Sequence, residues 1–110
     1  MEPVLLVLTN MPDADSANSL ARALVESRLA ACVNLMPAVQ SVYRWQGVIE
    51  EATEITLFIK TTQRHYPKLQ QAIVSAHPYD VPEVIAVPVA AGHAPYLHWV
   101  AAQTGQDDHA

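Results

Sequence analysis

The chain has 110 residues, 51% of them hydrophobic and 15% charged, with Lys+Arg 6 against Asp+Glu 11. That length and apolar content fit one domain with a packed core and argue against disorder. The net charge of −5 argues against a nucleic-acid or anionic-membrane surface, which needs clustered cations, and no apolar stretch approaches the ~20 residues that span a bilayer.

Residues 4–8, Val-Leu-Leu-Val-Leu, form a continuous apolar run that predicts a central strand covered on both faces. Thr9-Asn10-Met11-Pro12-Asp13 ends it, and Asp13 or Ser16 can cap the following helix, in which Ala17, Leu20, Ala21 and Leu24 recur at helical spacing. Residues 32–45 read as extended, with Pro37 suited to an edge or bulge. Gln46-Gly47 marks a turn. Thr53, Ile55, Leu57 and Ile59 then alternate with Glu54, Thr56, Phe58 and Lys60, which is strand periodicity.

Thr62 can cap a second helix with Pro67 in its first turn, and Tyr66, Leu69, Ile73 and Ala76 form its buried stripe. His77-Pro78 stops that helix. Residues 84–89 predict the last strand. Gly92 breaks the chain before a short helix starting near Pro95 and anchored by Tyr96, Trp99 and Val100, and Gly105 ends it. Residues 106–110 are expected to fray. The domain spans 1–110 without repeat or linker.

The order β-α-β-β-α-β plus a terminal helix, with right-handed crossovers, predicts an α+β ferredoxin-like sandwich with a long β-hairpin and an extra C-terminal helix. Each hairpin arm is more than twice the mean strand length of ~5–6 residues. Two ordinary helices cannot cover such arms, so Val42, Tyr43 and Trp45 are expected in a subunit interface.

Chemistry concentrates in His77-Pro78-Tyr79-Asp80-Val81-Pro82-Glu83, where two prolines stiffen a loop rich in ligand-type side chains. The plainer reading is a polar connector. Strand directions place this loop at the top of the sheet, beside the end of the first strand, with Glu83 close to Thr9. His77 is then a candidate metal ligand, with Asp80 and Glu83 nearby. Cys32 falls at the opposite end, so within one protomer it cannot share an ion with His77. As the single cysteine it forms no internal disulfide and no paired-cysteine zinc motif, and it reads as a small buried hydrophobe. His65, His93, His98 and His109 read as surface residues, and Lys60 as a solvated strand end. Residues 1–9 lack a signal-peptide pattern, so the expected location is the cytosol.

The chain resembles the CutA divalent-cation tolerance family. The resemblance is carried by Leu29-Ala30-Ala31-Cys32-Val33-Asn34, Ser41-Val42-Tyr43-Arg44-Trp45-Gln46-Gly47-Val48-Ile49-Glu50, Ile59-Lys60-Thr61-Thr62, the His77 heptapeptide and Tyr96-Leu97-His98-Trp99. It implies a stable homotrimer built through the long hairpin and a response to copper or another divalent cation, with no established catalysis. By position it implies metal binding at Thr9 and His77. Some members carry a thiol at the first position and a further histidine before the second. Here those positions are Thr9 and Ala76, so soft ligands are missing.

Two other functions compete with this one. A trimeric small-molecule or nucleotide sensor like the PII signalling proteins rests on fold analogy, and only 3 glycines are present to build a phosphate loop. An enzyme with His77 as general base lacks any marked nucleophile or oxyanion hole.

Overall fold

The computed structural model describes residues 2–105. The tail expected to fray, 106–110, lies outside them. The elements are β1 (Val4–Met11), α1 (Ala14–Glu26), β2 (Cys32–Trp45), β3 (Val48–Thr62), α2 (Tyr66–Ala76), β4 (Ile85–Pro88) and α3 (Ala94–Gln103). The four strands form one antiparallel sheet in the order β2-β3-β1-β4. This is the expected ferredoxin-like topology with its additional helix.

Local chemistry accounts for most boundaries. Asp13 caps α1, its carboxylate accepting the Ser16 backbone N–H at 2.8 Å. That bond holds the Asp13 carboxyl below its usual value. Gln46 and Gly47 both have positive φ, 52° and 83°, which lets a two-residue turn follow the twist of the long arms. The interruption at Pro37 is a bulge, with the register shifting between Met36 and Val39 and Ala38 at φ 60°.

Five local expectations are corrected. Thr62 does not cap α2: a 3₁₀ turn, Gln63–His65, intervenes, and the Thr62 hydroxyl lies 2.6 Å from Nδ1 of His65. His65 is thus half-buried rather than a surface residue. Its burial, with Arg64 nearby, lowers its pKa. Ala76 is exposed at the end of α2. The last strand is four residues long, because ladder pairing to β1 begins only at Ile85↔Leu8. In α3 the buried anchor is Val100 with half-buried Leu97, whereas Tyr96 and Trp99 stack on each other in the open.

The register decides which face each residue occupies, since directly paired residues share a face. Thr9↔Leu57 and Val7↔Ile59 lie on the face that packs against α1 and α2, where Leu20, Leu24, Leu69 and Ile73 complete the main core. The opposite face carries Leu6, Leu8, Phe58, Met36, Ile85 and Val87. Its lower end is closed by Val100 of α3 against Val4 and Ala31, and Thr56 and Glu54 towards its upper end are buried as well. The rest of it is bare. Met36, Ile85 and Val87 are exposed and Leu6, Leu8 and Phe58 half-covered.

The hairpin also outruns its own sheet. Pairing of β1 with β3 ends at Met11↔Ile55, while β2 and β3 stay paired from Val39↔Glu54 to Trp45↔Val48. The overhang stretches the molecule to 49 Å along its longest axis. It leaves Val42, Tyr43 and Trp45 exposed, as expected for an arm that no helix reaches.

Candidate functional site

The candidate site forms at the top of the sheet, where the loop after α2 meets the end of β1 and the base of the overhang. His77 is the C-cap of α2. It is not the exposed connector residue that the sequence suggested, being 9% exposed. Its Nδ1 accepts the Tyr79 backbone N–H at 3.2 Å, which leaves Nε2 to carry the proton and donate to the Asn10 carbonyl at 2.6 Å. The imidazole therefore ties the end of α2 to the end of β1 with both ring nitrogens engaged.

Thr9 precedes that carbonyl, but its side chain points to the helix-covered face. It is wholly enclosed, and its Oγ1 has no hydrogen-bond partner among the described residues. Glu83 reaches the top of β1 through Asn10, whose Nδ2 donates to Glu83 Oε1 at 3.1 Å. The contact expected between Glu83 and Thr9 thus falls one residue later. Asn10 Oδ1 in turn accepts the Thr56 hydroxyl. Asp80 is exposed on the same loop. The fold brings His77 and Glu83 onto one residue, Asn10, but among the described residues no three His, Cys, Asp or Glu side chains converge as a metal cage would require.

Two participants were not singled out from the sequence. The Tyr79 hydroxyl donates to Glu54 Oε2 at 2.7 Å, and the Tyr79 ring lies 4.6 Å from that of His77. Burial, together with the Glu54 carboxylate, pushes the phenol well above its usual range. Glu54 is only 6% exposed. In sequence it reads as one polar member of an alternating strand. Its partner lies 25 residues away on another element, so no local signal marked it. Together these groups line a groove of about 610 Å³ between the overhang and the loop.

At the other end, Lys60 is not a freely solvated strand end. Its ammonium donates to the Asn34 side-chain oxygen and approaches Cys32 Sγ at 4.0 Å. Cys32 is half-buried rather than fully packed. As the strand directions implied, it stands apart from His77.

The chain as a whole is similar to known proteins. The model of the CutA1 divalent ion tolerance protein family matches residues 5–103. The divalent-cation tolerance protein CutA of Thermus thermophilus is 47% identical over 100 residues, covering 91% of this chain and 97% of that protein. Mouse Protein CutA is 53% identical over 89 residues, covering 81% of this chain and 50% of its own length, so the chain spans half of that relative. Among solved structures, the Thermus thermophilus protein superposes with a TM-score of 0.91 at 46% identity, covering 93% of this chain and 99% of that one. Rice CutA1 gives 0.92 at 36% identity, with coverage of 96% and 97%. Among the described residues no helix is long and apolar enough to cross a membrane. A family match along nearly the whole domain, with the sheet order and long hairpin in place, makes this chain a member of the CutA1 divalent ion tolerance family.

Proposed function

We propose that the chain works as a homotrimer in the cytosol, serving tolerance to divalent cations and taking up copper or a similar ion weakly at the top of each sheet. The observation that carries the assembly is the bare sheet face. A two-layer sandwich normally hides one face under helices and turns polar residues outward on the other. Here the second face offers neighbouring Leu, Phe, Met, Ile and Val side chains, a surface that a second copy would cover. The number three is what the resemblance to the family implies.

For the cation, this chain supplies His77, Asp80, Glu83 and the orphaned hydroxyl of Thr9. A buried hydroxyl without a partner costs free energy that a ligand oxygen or ion could recover. Engagement of His77 would require its bond to Asn10 to open, and a neighbouring protomer could complete the ligand set. Both points favour an exchangeable cargo ion over a resident metal. Titration of the native protein with Cu²⁺ by calorimetry tests the site, with an expected loss of at least about tenfold in affinity for His77→Ala. Equal affinities in the two proteins would remove His77 from the reading.

Thr9→Val separates folding from binding. Removing an unpaired buried hydroxyl is expected to raise stability by about 1 kcal/mol while weakening Cu²⁺ uptake. A more stable variant with unchanged uptake would take Thr9 out of the ligand set. The nucleotide-sensor reading gains no support from the glycines, which lie at the hairpin turn, ahead of α3 and just after it, and none of which lines the groove.

A further inference from the structure

The end of α3 is clamped by contacts that neither the cation site nor the bare sheet face uses. Arg28 follows α1 in the left-handed region, at φ 64°, which is uncommon for a non-glycine residue. Its backbone carbonyl accepts the Gly105 N–H at 2.7 Å. Its guanidinium returns to the same segment, Nε donating to the Gly105 carbonyl at 2.7 Å and Nη2 to the Ala102 carbonyl at 3.0 Å. A fixed cation thus satisfies open carbonyls at the C-terminus of α3.

Gly105 in turn sits on the ring of His65. Its φ of 88° suits glycine, and a Cβ added there would run into Nε2 and Cε1 of the imidazole. The 3₁₀ turn that carries the ring is held from the N-terminal side. There the Gln63 N–H donates to the Pro3 carbonyl at 2.9 Å and the Arg64 N–H to Glu2 Oε2 at 2.8 Å. The other ring nitrogen, Nδ1, lies against the Thr62 hydroxyl, which is 1% exposed. A neutral ring lets that bond run either way. An imidazolium can only donate, and the buried Thr62 hydrogen then loses its acceptor.

We propose that His65 and Gly105 form a pH-sensitive latch, in which protonation of His65 releases α3 from the lower end of the sheet. The charges around the ring favour this direction. Arg64 in the turn and Lys68 in α2 oppose a proton on it, and Glu2 alone attracts one. From α3 come Ala101, Thr104 and Gly105, none of which titrates. Arg28 already occupies the last carbonyls, so a second cation gains little from the helix dipole. Burial first, and then Arg64, hold the docked ring below the ordinary value of 6.5. The docked state therefore binds fewer protons than the released one. Docking is complete above about pH 6.5 and weakens as the pH falls towards the docked value. Release uncovers Val4 and Ala31, which extends the bare apolar face.

Amide hydrogen exchange of α3 in the native, assembled protein tests the latch, compared at about pH 7.5 and about pH 5.5 after correction for intrinsic exchange rates. Opening of α3 is expected to rise roughly three- to tenfold at the lower pH, with β1 and β3 unchanged. His65→Gln cannot ionise and should abolish the rise, whereas His109→Gln should keep it. Arg28→Asn, a residue that tolerates the left-handed region, should speed α3 exchange at both pH values. Several outcomes overturn the latch: flat α3 exchange in the native protein, an equal rise in His65→Gln, a rise lost in His109→Gln, a rise shared by β1 and β3, or unchanged exchange in Arg28→Asn. Should His65→Gln fail to fold, NMR titration of the His65 Cε1 proton in the native protein decides. A midpoint below 6.5 that coincides with the onset of α3 opening supports the latch, and any other midpoint overturns it.

Discussion

Ile85→Lys is expected to run as a monomer in size-exclusion chromatography with light scattering, and the native protein, on the proposed trimer, at three times the 12.0 kDa of one chain. Ile85 is half exposed within the protomer, at 50%, and sits opposite Leu8 on the bare sheet face. Lysine there costs the isolated protomer little, because its ammonium reaches water. In an assembly that buries this face, each copy would place an unpaired cation in an apolar interface. That costs several kcal/mol per ion, and symmetry repeats the charge in every subunit. Val74→Lys, on the exposed side of α2, is the matched control and should leave the mass unchanged. If Ile85→Lys keeps the full mass, the bare face is not the interface. The melting temperature of the dissociated variant should also depend less on protein concentration, since assembly stabilises the fold by mass action.

The second large effect is expected in the main core. Leu57 is fully buried, faces Thr9 across the β1–β3 ladder, and belongs to the cluster that joins the sheet to both covering helices. Leu57→Ala leaves a cavity at the junction that holds the top of β1 in register. Its expected cost is about 3 kcal/mol, or roughly 10 °C in melting temperature for a domain of this size. Thermal melts at fixed protein concentration measure it. A loss below about 1 kcal/mol would mean that the core collapses around the deletion, as loosely packed sites do. The substitution also loosens the strand that presents Asn10 to His77. Weaker copper uptake should therefore accompany the lost stability.

The elements were legible because their signals are local. Asp13 caps α1 within three residues of its target, Gln46-Gly47 turns the hairpin on its own dihedrals, and periods of 3.6 and 2 separate α1 from β3. Local signals failed where a distant partner decided the outcome. Thr62 turns to His65 instead of capping α2, and Trp99 stays outside because Leu97 and Val100 already fill the space against Val4 and Ala31. The candidate site divides in the same way. The loop residues and their place beside β1 followed from chain direction. The engagement of both His77 nitrogens and the pairing of Glu54 with Tyr79 did not, since they depend on side chains 67 and 25 residues apart.

The sequence by itself determined the order of elements, the long hairpin and the family, all of which are written in residue types and their spacing. Only the tertiary structure decided which side chains share a face and which buried polar groups find partners. Strand register sets the first, because a shift of one residue exchanges the two faces. Packing between remote elements sets the second, and it gives Glu54 the Tyr79 hydroxyl while leaving Thr9 enclosed without a partner among the described residues.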